Sequence, residues 1–140
     1  MDIKVYTSLP EEAKRIRETV FVKEQHFTDE FDETDAFSLH FACFDDNHIP
    51  VGCCRFFYSK EDNRYQIGRV AVLKEYRHHH IASLILKKVE EEAKKRGIKT
   101  LYLHSQIQVV GFYGKLGYQP FGNVEDEQGW PHQWMKKEIS

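Results

Sequence analysis

Three consecutive histidines, His78, His79 and His80, stand in the seam GRVAVLKEYRHHHIASLI. They follow the apolar stretch Val70-Ala71-Val72-Leu73 and precede an amphipathic run that opens at Ile81. Imidazoles can ligate a metal, meet a phosphate when charged, or simply face water. Consecutive side chains diverge, so three adjacent histidines do not easily share one tetrahedral metal centre. A strand that enters a helix through a short loop offers different chemistry. It presents free backbone N–H groups at the positive end of the helix dipole, which suits a phosphate or pyrophosphate. Both glycine-rich versions of such a loop are absent, since the chain has no G-x-G-x-x-G and no G-x-x-x-x-G-K-[ST]. From these residues alone, a solvated turn, a phosphate-binding backbone and a metal site all stay open.

The elements that must position this seam can be read along the chain. DIKVY fits a short first strand. SLPEEAKRIRETVFVKEQ has Ser8 and Glu11 at capping-box spacing, Pro10 in the first turn and an apolar stripe at Ala13, Ile16, Val20 and Phe21. The acidic, aromatic stretch HFTDEFDETDAF lacks a sustained period and reads as a loop. SLHFACF and PVGCCRFFYS form a hairpin by composition. YQIGRVAVL is apolar on both faces near its end, as a central strand is. IASLILKKVEEEAKKRG places Ile81, Leu84, Ile85, Val89 and Ala93 on one face and closes at Gly97. A strand TLYLHS, a helix QVVGFYGKLG and two final strand signals complete the order β-α-β-β-β-α-β-α-β-β. That order predicts an α/β fold with a mixed sheet of six to seven strands.

Composition narrows the class of function. With 140 residues the expectation is one domain, large enough to hold a core without disulfides. The 20 Lys and Arg nearly balance the 22 Asp and Glu, which gives no electrostatic reason to expect nucleic acid or an anionic membrane. MDIKVYTSLPEE lacks the features of a signal peptide, so a cytoplasmic protein is expected. Cys43, Cys53 and Cys54 lie in apolar runs without framework spacing and read as packed thiols, with reactivity the lesser alternative.

At two places the chain resembles the GCN5-related N-acetyltransferases (GNAT). VAVLKEYRHHHIA is similar to that family's acetyl-CoA loop, matching it at Arg77 and Ala82 and placing His80 where the pattern has its inner glycine. FYGKLGY, residues 112–118, resembles the family segment whose tyrosine lies near the thioester sulfur. VFVKEQ, GRVAV, LHSQ and EQGWPHQWM resemble the ElaA-like branch, and the likeness spans nearly the whole chain. It implies a largely antiparallel GNAT-like sheet, splayed to admit a pantetheine arm, and transfer of acetyl from acetyl-CoA to an amine without a metal. A histidine at the glycine position is compatible with this only if its backbone stays in an allowed region and its side chain points away.

The same resemblance implies the site. Val70, Ala71 and Val72 would hold the pantetheine arm through backbone N–H groups, one of them able to stabilise the developing oxyanion. Arg77, His78, His79, His80, Ile81 and Ala82 would meet the phosphates, and Gln106 and Phe112 would touch the cofactor. Tyr113 would protonate the departing thiolate; by spacing alone it could equally be a core aromatic. Base candidates are Glu24, His40, His104, Glu127 and His132, with Glu24 and His132 entered as catalytic and His104 read rather as a packed core histidine. Arg17, Gln25, His40 and Glu127 are expected at the acceptor, although Arg17 could instead pair with a neighbouring carboxylate. Trp130-Pro131 is expected to form a stiff turn. The acceptor would be a small-molecule or peptide amine, cationic if the acidic stretch from Asp29 to Asp35 faces it, and a homodimer is conceivable. Two rival readings stand beside this one: a non-catalytic coenzyme A-binding module, favoured by His80, and a metal-binding protein drawing on the eight histidines.

Overall fold

Seven strands form in the computed structural model, which describes residues 1–28 and 30–139. They are β1 (Asp2–Tyr6), β2 (Leu39–Phe44), β3 (Pro50–Ser59), β4 (Arg64–Val72), β5 (Thr100–Gln106), β6 (Gln119–Glu127) and β7 (Trp130–Glu138). They form one sheet in the order β1-β2-β3-β4-β5-β7-β6. All neighbours are antiparallel except β4 and β5, which run parallel. The expected element order and the central place of β4 both hold.

Helices α1 (Glu11–Arg17), α2 (Ile81–Lys95) and α3 (Val110–Lys115) flank the sheet. On α2 the buried residues are Ile81, Ile85, Leu86, Val89 and Ala93. Burying a large aliphatic side chain contributes roughly 2 kcal/mol, against a few tenths for intrinsic helix propensity. Packing therefore holds α2 in place. Gly52 lets it approach closely, because a Cβ there would stand 2.9 Å from Ile81 Cγ2 and 3.0 Å from Ile85 Cδ1. The main core joins Phe41, Val51, Ile67, Leu101, Leu103, Tyr118 and Met135 to this face. A second cluster sets Ala13, Ile16, Val20 and Phe21 against Cys53 and Ala71. All three cysteines are free and buried, and burial pushes the Cys53 thiol up to about 12, which makes it a poor nucleophile.

Several local expectations are corrected. The first helix is capped by Pro10 in extended conformation rather than by Ser8, and no side chain caps it. At Glu18 it widens into a π-helix, Glu18–Glu24, where the Gln25 N–H reaches back five residues to the Val20 carbonyl at 3.2 Å. Leu84 is exposed and Leu86 takes its place in the core. The acidic stretch contains a 3-10 helix, Glu33–Phe37, capped reciprocally by Asp32 and Asp35; Asp29 lies outside the described residues. The β6–β7 turn is made by Gln128 and Gly129, with φ 51° and 86°, and Trp130-Pro131 belongs to β7. No helix among the described residues is long and apolar enough to cross a membrane.

Candidate active site

The sheet is interrupted where the seam begins. β4 and β5 pair only at Gln66–Tyr102 and Ile67–Leu103, and beyond those rungs the parallel strands part. On its other side β4 pairs Ala71 with Cys53 and Gly68 with Arg55, so Arg69 and Val70 together oppose Cys54. Arg69 absorbs this bulge at φ 52°. The Leu73 N–H donates to the Val51 carbonyl at 2.9 Å, toward β3. Alternation along the strand then turns the N–H groups of Val72 and Val70 toward the gap. A cavity of about 940 Å³ fills that gap, lined by Val70, Ala71, Val72, Gln106, Phe112 and Tyr113 among others.

At one end of the cavity lie Arg77, His78 and Ala82. His80 precedes α2 with φ 62° and ψ 19°, no side chain caps the helix, and the first N–H of the helical ladder is that of Leu84, bonded to the His80 carbonyl. The earlier N–H groups of the first turn are therefore free for an anion. His78 is also left-handed, at φ 67°. His80 thus adopts the glycine-like backbone that its position demands. The side chains of His79 and His80 are exposed and do not line the cavity, and Ile81 is buried in the core. A contact of these two histidines with a cofactor would therefore be through backbone, and Ile81, whose side chain packs in the core, would offer its N–H in the bare first turn. His80→Gly should accordingly leave coenzyme A affinity within about threefold or raise it, since left-handed backbone is strained for a residue with a Cβ. A loss beyond tenfold in a calorimetric titration would show the imidazole to be a ligand.

Arg77 is already engaged. Its Nε donates to the Val72 carbonyl at 3.0 Å, and Nη1 and Nη2 grip both oxygens of Glu24 at 2.7 and 2.8 Å. That hydrogen bond, outweighing some desolvation, holds the Glu24 carboxyl below its ordinary value. A carboxylate so stabilised is a weak base, which counts against a catalytic Glu24.

The opposite end gathers residues from four elements. The Gln106 amide donates to Gln25 Oε1 at 2.8 Å, and the Trp130 indole donates to the Gln25 carbonyl at 3.3 Å. Phe27 stacks on Trp130, ring centres 6.1 Å apart, and Thr28 bonds through its N–H and hydroxyl to Gln128 at the β6–β7 turn. The Nδ1 of His132 lies 2.7 Å from the Trp130 carbonyl. A carbonyl only accepts, so Nδ1 carries the proton and Nε2 of the neutral ring is a bare acceptor. That Nε2 lies 3.5 Å from Glu127 Oε2, and His104 Nδ1 approaches the same oxygen at 3.5 Å. Hydrogen bonding to His104, against some desolvation, keeps the Glu127 carboxyl below its ordinary value. His104, stacked on Trp134, faces the cavity and is more than the core residue its sequence position implied.

Two expected acceptor residues lie elsewhere. Arg17 is 1% exposed and binds Glu30 through Nε and Asp35 through Nη1, at 2.9 and 2.7 Å. His40 is also buried, with Nε2 2.9 Å from the Asp35 carbonyl. Within the acidic stretch Arg17, Arg55 and Arg69 engage Glu30, Asp32 and Asp35, while Glu33 is exposed. Phe27, Arg69 and Gln66 line the site without having been singled out in the sequence, and Trp130, read there only as a turn residue, lines it too. Among the described residues, no group of three or more His, Cys, Asp or Glu side chains could hold a metal ion.

A splayed parallel pair beside a strand-to-helix anion loop defines an architecture that known proteins share. The model of the acetyltransferase (GNAT) family matches residues 5–118, and the chain belongs to that family. It is 38% identical over 147 residues to YyaT of Bacillus subtilis (strain 168), covering 100% of this chain and 97% of that one. Escherichia coli ElaA superposes with a TM-score of 0.85 at 24% identity, over 99% of this chain and 100% of ElaA. An aminoglycoside 6'-N-acetyltransferase in complex with coenzyme A superposes with a TM-score of 0.75 at 18% identity, over 100% and 98%. At these identities the two structures establish likeness of fold.

Proposed function

We propose that the chain, as one domain over residues 1–140, transfers acetyl from acetyl-CoA to a primary amine of a small molecule or peptide in a ternary complex. The observation that carries this reading is the cavity between β4 and β5, with unpaired strand N–H groups on its wall and the bare first turn of α2 at its end. A linear ligand with amides along its length satisfies Val70 and Val72, and its phosphates satisfy the helix start. The similar fold of the aminoglycoside 6'-N-acetyltransferase, seen with coenzyme A, supports the same assignment. When bound, acetyl-CoA supplies an acetyl group activated as a thioester.

The chain's own residues then move two protons. His132 Nε2 takes one from the acceptor ammonium, freeing the nitrogen lone pair for attack. The nitrogen–carbon bond forms, the Val70 N–H steadies the negative oxygen, and the carbon–sulfur bond breaks. Tyr113 gives its phenolic proton to the sulfur and regains one from the acylated nitrogen, leaving a neutral amide. Burial pushes that phenol above its ordinary value, so it stays protonated and serves as donor. Burial raises the nearby Cys54 thiol as well, and a thiolate leaving in the same dry space meets the same penalty. Phenol and thiol therefore rise together, and transfer between them stays feasible.

Engagement of Glu24 by Arg77, which leaves that carboxylate a weak base, favours a second reading, a module that holds coenzyme A without turnover. Calorimetric titration with acetyl-CoA and acetyl-pantetheine, followed by an assay of thiol release with amines, separates the two. The transferase reading expects binding that weakens at least tenfold without the phosphates, together with amine-dependent thiol release. Binding without release favours the module, and no binding removes both.

A further inference from the structure

We propose that the acceptor is a long diamine-class cation, its two amines on the order of 10 Å apart, rather than a simple monoamine or an amine bearing a carboxylate. This rests on the transferase reading above and specifies its second substrate. Every arginine facing the cavity is already matched: Arg55 to Asp32 at 2.6 Å and Asp35 at 3.1 Å, Arg69 to Glu30 at 2.9 Å, and Arg77 to Glu24 at 2.7 Å. Two cavity carboxylates have no arginine or lysine partner among the described residues. Glu127 lies within ion-pair distance only of the rings of His104 and His132, which carry no fixed charge, with Arg69 acting on it from farther off. Asp62, between β3 and β4, accepts from the Gln66 amide at 2.8 Å and the Ser59 hydroxyl at 3.2 Å. The wall has an excess of negative charge and no spare cation for an acceptor carboxylate.

Hydrogen-bond chemistry points the same way. The His132 side chain is 7% exposed, and its bare Nε2 stands 3.5 Å from Glu127 Oε2, an oxygen that His104 Nδ1 also approaches at 3.5 Å, so two acceptors converge with room for further donors. An ammonium supplies the missing N–H groups to both. Phe27 and Trp130 offer aromatic faces beside it, a surface that attracts organic cations. This molecule already uses that attraction next door, where the Arg64 guanidinium lies 4.1 Å from the Trp134 ring centre and 4.7 Å from that of Tyr102. The second charge belongs at Asp62. Its carboxylate is tied to the end of the Gln66 side chain, four residues along β4 from Val70. At about 3.3 Å per residue those four residues span roughly 13 Å of strand, so the second charge lies on the order of 10 Å or somewhat more from the reacting carbonyl. The reacting ammonium loses one proton to His132 and a second to the Tyr113 phenolate as the amide forms, and the far ammonium stays charged throughout.

The test compares kcat/KM for 1,7-diaminoheptane, n-heptylamine, 7-aminoheptanoate and 1,3-diaminopropane. The long diamine should exceed n-heptylamine by about fivefold, the scale of a partly exposed ion pair, with 7-aminoheptanoate poorest and the short diamine gaining nothing. Asp62→Asn should collapse the ratio of long diamine to monoamine, whereas Glu127→Gln should lower both amines together. A monoamine or amino acid that matches the diamine, or a ratio that survives Asp62→Asn, overturns the proposal. If acetyl-CoA does not bind, the transferase reading fails separately. NMR titration of the Trp130 indole and the Gln66 side-chain amide still decides the acceptor question. Saturation by the diamine at about fivefold lower concentration than by n-heptylamine upholds it, and equal or absent shifts overturn it.

Discussion

Tyr113→Phe is expected to lower kcat by about a hundredfold, the lower end of what a positioned acid contributes, while leaving the affinity for coenzyme A almost unchanged. The argument is geometric. Tyr113 lies on the short helix α3, is 7% exposed and lines the cavity at the level of the parted strands. Phe112 and Tyr118 pack edge-on against its ring, at 5.1 and 6.1 Å, so the ring's place is fixed by neighbours rather than by its hydroxyl. Phenylalanine keeps those contacts and removes only the proton. Pre-steady-state measurement of thiol release isolates the step, because a lost acid slows carbon–sulfur cleavage and not binding. Unchanged kcat would return Tyr113 to the hydrophobic core as an ordinary member. A parallel loss of affinity would point to a reshaped cavity and remove the evidence for an acid.

Arg17→Ala is expected to cost about 3–5 kcal/mol of folding stability, as removing one partner of a buried ion pair does. For a chain of this size the thermal midpoint should fall by roughly 10–20 °C. Arg17 makes two hydrogen bonds to Glu30 and two to Asp35, while its guanidinium also lies 4.8 Å from the Phe31 ring centre. Without it both carboxylates stay buried. Burial works against the Asp35 carboxylate, and the guanidiniums of Arg17 and Arg55 outweigh that and hold its pKa below the ordinary value. Arg17→Lys should lose less, since an ammonium keeps the charge but cannot span two carboxylates in a planar fork. Chemical denaturation measures both variants. A loss below about 1 kcal/mol for Arg17→Ala, the scale of an exposed pair, would mean that the cluster contributes little.

Arg17 also marks the limit of what the sequence discloses. Its partners lie 13 and 18 residues away in a stretch without periodicity, and nothing local says whether a charge there faces water or another charge. The periodic elements are different. β3 was legible residue for residue, because β-rich composition and bounding turn residues act on neighbours. On α2 the i, i+4 series from Ile81 drifts around the helix by about 40° per step. The buried arc follows that drift to Leu86 and away from Leu84, which a fixed stripe misplaces. At the site, the β4 residues, Arg77, Gln106 and Tyr113 came from matching motifs. At the acceptor end Gln25, Glu127 and His132 were also expected from such motifs, but their meeting with Phe27 and His104 was not legible, because it occurs only when the π-helix, β5 and the β6–β7 hairpin are brought together.

The two rungs joining β4 to β5 give the molecule an unusual mechanics. A sheet normally owes its stiffness to its middle and frays at its edges. Here the shortest ladder is the central one, and the long ladders lie on either side of it. The seven strands behave as two smaller sheets that share a hinge at Gln66–Ile67 and Tyr102–Leu103. Beyond that hinge, a change in the opening angle breaks no bond between strands, because none spans the gap. The width of the cleft can adjust to a thicker or thinner acyl group at almost no cost in backbone hydrogen bonds, as the jaws of a clamp adjust about their pin.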